Sequence, residues 1–199
     1  MIKRNIAVLV SGGGTNLQAL IDAQNAGVIS SGEIKLVISN NADAYALTRA
    51  KNNGIATAVI TKKDCQMDQT VFEGKIIETL QSNNIDIIVL AGFMSILSEN
   101  FTKRYPKRII NVHPSLIPSF CGKGFYGLHV HEAALAYGVK VTGATVHFVN
   151  EIPDGGEIIM QKAVEILDTD TPETLQKRVM EEAEWKILPL SVEKVCKEL

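Results

Sequence analysis

Asn5-Ile-Ala-Val-Leu-Val10, followed at once by Ser11-Gly-Gly-Gly-Thr15-Asn16-Leu17-Gln18, decides the fold. An unbroken apolar run bounded by glycine reads as a strand covered on both faces, because a strand with one wet face would alternate. The run is too short for the apolar region of a signal peptide, so a buried first strand is expected. Thr15-x-x-Gln18 has the form of a capping box, and Leu17, Leu20 and Ile21 then recur at helical spacing. A buried strand, a glycine turn and a helix form the first unit of an open α/β sheet. Such sheets bind ligands beyond the carboxyl ends of their strands.

The same alternation continues outward from that unit. Strands are expected at Ile34–Ser39, Thr57–Ile60, Ile85–Leu90 and Ile109–Val112, and helices at Tyr45–Asn53, Asp68–Ser82 and from Ser98 to Tyr105. After Pro118 the pattern changes to a glycine- and aromatic-rich loop, Phe120–Gly127, and a short helix, Leu128–Ala136. Thr142–Val149 and Ile158–Val164 read as an antiparallel pair. Thr171-Pro172 opens a final helix, with a break or kink expected near Pro189. The fold class is therefore α/β, a doubly wound and mostly parallel sheet with an antiparallel C-terminal strand pair and a long final helix. One domain over 1–199 is expected.

Composition removes several classes of function. The 199 residues carry a net charge of −2 without a long basic run, which leaves nucleic-acid binding little electrostatic support. Three scattered cysteines, Cys65, Cys121 and Cys196, form no CxxC pair, so neither a zinc ribbon nor a disulfide framework is expected, and a reducing cytoplasm fits. No segment approaches the length of a membrane span.

The glycine turn offers a helix N-terminus, with unpaired N–H groups and partial positive charge, to an anion. A P-loop would need Gly-Lys-Ser/Thr, and no lysine is present. A dinucleotide fingerprint would need glycine where Leu17 stands, and an acidic residue near the end of the second strand, where Ser39-Asn40-Asn41 stands. A single phosphate monoester fits better; a tight turn without a ligand is the plain alternative. Asn111 and His113 are two apart on a strand and share a face. An amide can donate to a developing oxyanion and an imidazole can move a proton. Asp154, in the turn Asp154-Gly-Gly156, can support that imidazole only if its loop folds back. His129-x-His131 has metal-like spacing without further ligands, so both are expected at the surface or in a loop; His147, in an alternating strand, is expected to be structural. No Gly-x-Ser-x-Gly elbow is present, and neither Ser115 nor any cysteine has an evident base.

Taken in order, Ser11-Gly-Gly-Gly-Thr-Asn16, Leu90-Ala-Gly-Phe-Met94 with Ser95-Ile-Leu97, Asn111-Val-His-Pro-Ser-Leu-Ile-Pro118, His147-Phe-Val and Asp154-Gly-Gly156 resemble the phosphoribosylglycinamide formyltransferases, folate-dependent enzymes of purine biosynthesis. The resemblance runs from about Ile6 to about Pro189 and implies a Rossmann-like formyltransferase fold. It also implies formyl transfer from 10-formyltetrahydrofolate to the amino group of glycinamide ribonucleotide, through a tetrahedral intermediate and without a metal. Asn111 would hydrogen-bond the formyl oxygen, His113 would be the general acid/base, and Asp154 would support it and raise its pKa. Gly14, Thr15 and Asn16 would hold the phosphate and ribose, and Glu184 the sugar hydroxyls. Folate would lie against Met94, Ser95, Ile96 and Leu97, Asn111, and the loop Asn150, Glu151, Ile152 and Pro153. Small-molecule substrates are the only partners implied, with no nucleic acid and no membrane.

The match has departures. An arginine common in these enzymes after the third strand is replaced near Gln69, leaving Lys62 or Lys63 as candidates for the folate tail. Thr145 keeps the hydroxyl expected before the histidine strand. The loop Cys121–Tyr126 is longer than in some members and is expected to close over the nucleotide. Rival assignments are a methionyl-tRNA formyltransferase or a formyltetrahydrofolate deformylase, each expected to carry a further domain, a noncatalytic nucleotide-binding module, and an NAD oxidoreductase.

Overall fold

The computed structural model describes residues 3–199. Among them, β1 (Arg4–Val10), β2 (Gly32–Ser39), β3 (Ala56–Val59), β4 (Ile87–Leu90), β5 (Ile109–His113), β6 (Val141–Phe148) and β7 (Ile158–Glu165) form one sheet, ordered β3-β2-β1-β4-β5-β6-β7. The first five strands are parallel; β6 runs antiparallel to β5, and β7 to β6. The helices are α1 (Thr15–Asn25), α2 (Tyr45–Asn52), α3 (Gln69–Ser82), α4 (Glu99–Thr102), α5 (Leu128–Tyr137), α6 (Pro172–Val179) and α7 (Trp185–Glu198).

The period-2 geometry of β1 shows why the sheet is covered on both sides. Ile6, Val8 and Val10 pack with Leu17, Leu20 and Ile21 of α1 and with Ile187, Leu188 and Val192 of α7. Ala7 and Leu9 face the opposite way, toward Phe72, Ile76 and Leu80 of α3 and Phe101 of α4. Burying each large aliphatic side chain of this kind contributes roughly 1.5–3 kcal/mol. Strand order reverses between β1 and β4, which opens the crevice where such sheets place ligands. The turns after β1, β2, β4 and β5 all emerge at that edge.

Three local expectations change. Thr15 forms no capping box: Gly14, in the left-handed region at φ 73°, is the N-cap of α1, and no side chain caps the helix. β4 begins at Ile87 rather than Ile85; Asp86 instead exchanges hydrogen bonds with the Asn5 backbone. Pro189 lies inside α7, and the irregularity sits earlier, as a π-helical turn over Met180–Glu184 joining α6 to α7. That wide turn brings Glu184 inward to 6% exposure. Thr171 does cap α6, in a reciprocal box with Thr174 and with Pro172 in its first turn.

Candidate active site

The cradle at the end of β1 is built from backbone. The first N–H groups of α1 have no intrahelical acceptor, and the exposed turn at Gly12 and Gly13 leaves room in front of them. Gly14 is obligatory, since a β-carbon there would lie 2.6 Å from Ala46 Cβ at a backbone angle that L residues avoid. Asn16 Nδ2 donates to Glu184 Oε2 at 2.6 Å, so the π turn meets the helix N-terminus at this point. Thr15 Oγ1 reaches Met180 Sδ at 3.8 Å in the same contact. Burial pushes the Glu184 carboxyl up, opposed by the Asn16 bond.

The polar cluster lies at β5. Asn111 pairs across the ladder with His147, and His113 with Thr145, so all four occupy one stretch of two neighbouring strands. Asp154 Oδ2 lies 3.5 Å from His113 Nδ1, and Asp154 Oδ1 lies 3.6 Å from His147 Nε2. Asp154 Oδ2 also accepts from the Gly122 amide at 2.8 Å. Asp154 itself adopts the left-handed region at φ 56°, which Asp tolerates better than most residues. Asn150 shapes the loop that carries it: its Oδ1 accepts from the Ile152 amide and its Nδ2 donates to Gly155 O. Gly156 closes the loop so tightly that a β-carbon would meet Phe148 O at 1.7 Å. Thr145 Oγ1 donates to Ser115 O and accepts from the Ile117 amide, pinning the turn that follows His113.

The segment after β4 faces the cradle. Met94 N donates to Ser11 Oγ at 2.8 Å, and Asn40 Nδ2 donates to Ser95 Oγ at 2.8 Å. Met94 and Ile96 are 59% and 74% exposed and present an apolar surface; Ile152 is 59% exposed on the other loop. Glu151 and Pro153 are exposed beside it. Leu97 differs from its neighbours: it is buried with Phe72 and Phe101 and supports the segment from beneath. Gln69, at the start of α3, donates to Ile96 O and to Glu73 Oε1, which ties that helix to the segment.

Residues 4–192 match the family model described as "Formyl transferase". A phosphoribosylglycinamide formyltransferase of Haemophilus influenzae is 44% identical over 95% of this chain and 85% of that protein. The chain belongs to the phosphoribosylglycinamide formyltransferase family. A chloroplastic member from Arabidopsis thaliana is 36% identical over 98% of this chain, which spans 66% of the plant protein. The crystal structure of glycinamide ribonucleotide transformylase 1 from Symbiobacterium toebii superposes with a TM-score of 0.91 at 39% identity, covering 98% of this chain and 89% of that one. Like these formyltransferases, the chain is a group-transfer enzyme. Among the described residues, no cluster of His, Cys, Asp and Glu has the arrangement to hold a metal ion, and no helix is long and apolar enough to cross a membrane.

Within this polar cluster the electrostatics differ from expectation. The His113 pKa is lowered, not raised, because burial at 4% exposure outweighs the Asp154 carboxylate and the Phe120 carbonyl. Burial alone would raise the Asp154 carboxyl. Contacts with His147, His113 and the Gly122 amide reverse that and hold it below the usual carboxylate range. His147, expected to be structural, stands inside the cluster: its Nε2 faces Asn111 Nδ2 at 3.2 Å. His131, expected at the surface, is 1% exposed within α5, and neither ring nitrogen has a hydrogen-bond partner among the described residues. Burial, with the charge of His113, pushes its pKa down to about 4. His129 is exposed, against Glu132. Cys121 is half-buried, and burial raises its thiol, so it is not poised as a nucleophile. Nothing in the sequence set His147 apart from a structural strand residue; its place opposite Asn111 comes from the register of β5 with β6.

Proposed function

We propose that the chain transfers the formyl group of 10-formyltetrahydrofolate to the amino group of glycinamide ribonucleotide in purine biosynthesis. The observation that carries this is the approach of Asp154 Oδ2 to within 3.5 Å of His113 Nδ1, beside Asn111 and on the same sheet edge as a glycine cradle without a side-chain cap. An acid/base group, an amide donor and an anion seat are what direct acyl transfer to a phosphorylated amine requires.

The phosphate would sit on Gly14, Thr15 and Asn16 at the N-terminus of α1, with Glu184 at the sugar. The pterin would lie between Met94–Leu97 and Asn150–Pro153. Residues 1–110 are the nucleotide-binding half and 111–199 the catalytic and folate-binding half of one domain, with Met94–Leu97 and Glu184 each reaching the other half's ligand, acting in the cytoplasm on small molecules. The amine nitrogen attacks the formyl carbon, and the carbonyl electron pair moves to oxygen, where the Asn111 amide donates to it. The amine proton passes to His113 and then to N10 of the folate as the C–N bond to the donor breaks, releasing tetrahydrofolate.

His113 must be neutral to take that proton, and its lowered pKa keeps it neutral at pH 7. Two contacts compete for its single proton. The Phe120 carbonyl, 2.9 Å from Nε2, can only accept and requires the proton on Nε2. Asp154 favours it on Nδ1. Binding that displaces Phe120 leaves Nδ1–H on Asp154 and turns the Nε2 lone pair toward the substrate.

Mixing the protein with 10-formyltetrahydrofolate and following folate release with and without glycinamide ribonucleotide tests the assignment. Release that depends on the acceptor is expected. Release that ignores the acceptor would make the chain a hydrolase, and none would make it a binder.

A further inference from the structure

We propose that His147 is a positioning residue that fixes the direction of the Asn111 carboxamide and so aims its donor at the reacting oxygen; this rests on the transfer reaction proposed above. His147 Nδ1 lies 2.8 Å from the Phe148 carbonyl. A carbonyl only accepts, so this contact places a proton on Nδ1 and, in the neutral ring, leaves Nε2 as a bare acceptor. Two neighbours meet that nitrogen with opposite demands. Asn111 Nδ2 stands at 3.2 Å and offers an N–H. Asp154 Oδ1 stands at 3.6 Å and would favour a proton on the ring. The amide is the nearer of the two, and Nε2 accepts from it; a proton on Nε2, which the Asp154 carboxylate favours, is the competing state.

A carboxamide can turn over with little change in shape, exchanging its donor end for its acceptor end. An oxygen presented to a forming oxyanion would repel it. With one amide hydrogen held by His147, the remaining hydrogen has a defined direction, and no reorganisation is needed when charge develops. The ladder supports this, because Asn111 and His147 are a direct cross-strand pair and His147 is only 1% exposed.

Nitrogen-15 NMR of the free protein, with the His147 signals identified by their loss in His147→Ala, tests the geometry without turnover. A protonated Nδ1 and an unprotonated, hydrogen-bonded Nε2 are expected at pH 7.5. A protonated Nε2 would overturn the proposal, whether or not the chain proves to transfer formyl groups. In kinetics, His147→Ala is expected to lower kcat about 10- to 100-fold, part of the roughly 10²–10³ that loss of an oxyanion donor costs. KM for both substrates should stay within about twofold in that variant, by the logic of a group acting in the transition state. His147→Gln, which places an acceptor where Nε2 stood, should recover most of kcat, whereas His147→Asn, which mimics only Nδ1, should not. In an Asn111→Ala background the His147→Ala change should have almost no further effect. Full additivity there, or equal recovery by Gln and Asn, would show that His147 acts through the fold rather than through Asn111.

Discussion

The cradle at the start of α1 and the cluster around His113 stand on the same edge of the sheet but are built in different ways. The cradle is one continuous stretch. Its donors are backbone amides, its one obligatory glycine is fixed by contact with Ala46, and α2, the segment after β4 and the π turn at Met180 and Glu184 brace it through Ala46, Arg49, Met94 and Glu184. The cluster is assembled from Asn111 and His113 on β5, His147 on β6 and Asp154 on a loop. It is closed by Phe120, which has a positive φ of 49° that is uncommon for a bulky residue. An anion seat made of backbone can be rigid before the ligand arrives. A proton-transfer group must be free to change partners, and both partners that hold His113 come from loops.

Substitutions should therefore separate the two regions kinetically. His113→Ala, Asn111→Ala and Asp154→Asn are each expected to lower kcat by roughly 10²–10⁴, with small changes in KM. Near wild-type turnover of the His113 variant in a steady-state assay would end the assignment. Asn16→Ala and Glu184→Gln should instead raise KM for the nucleotide by more than they lower kcat. Gly14→Ala should act on the fold as well as on binding. Left-handed backbone costs an L residue about 1–2 kcal/mol, and crowding against Ala46 adds about 1–3 kcal/mol. A measured drop in Tm of several degrees is expected, and Ala46→Gly in the same chain should recover only part of the crowding, because the Ala46 Cα would still lie 2.8 Å from the new β-carbon. Full recovery would mean that the backbone at position 14 can relax.

How much of this was legible beforehand follows the same division. The strand at Asn5–Val10 and the turn after it could be read because burial on two faces leaves a pattern within a few residues. The Asn111 and His113 pair shared a face for the same local reason. The return of Asp154 was visible only as a turn of Asp-Gly-Gly, since its approach to His113 depends on Asn150 and on Gly156 packing against Phe148. The failed capping box at Thr15 shows a local rule losing to a tertiary one, as Gly14 packs against α2 and takes the cap position. The break assigned to Pro189 failed similarly: the helix widens over Met180–Glu184, ahead of α7, where Glu184 must reach Asn16. His131 was misplaced because spacing cannot tell which face of α5 is buried, and the sign of the His113 shift was misjudged because burial is not visible in a motif.

His131 offers a smaller test of the catalytic region's construction. Its pKa is about 4 in the folded chain, against about 6.5 unfolded. Between these values the unfolded chain binds more protons, so stability falls as the pH drops from about 6.5 toward 4 and is level above that window. His131→Leu removes the titrating ring and two buried polar atoms that have no partner among the described residues, each such atom costing about 1–3 kcal/mol when unsatisfied. Chemical denaturation should show the variant at least as stable as the parent at pH 8, with a larger advantage at pH 5. An unchanged pH slope would mean that His131 opens to solvent before it takes up a proton.

The smallest expected effect distinguishes the two forces acting on His113. If it is the base, kcat/KM rises with pH through its pKa in the free enzyme and levels off above. Burial sets that pKa below the ordinary histidine value, and Asp154 pulls it back up. Asp154→Asn removes the upward pull and leaves the burial, so the acid limb of the residual activity should move to lower pH even as its height falls. The shift should be modest, because the carboxylate oxygen lies 3.5 Å from the ring and shares its charge with the Gly122 amide. A limb that moves to higher pH would show that the substitution opens the pocket to water. One that stays in place would assign the ionisation to a group other than His113.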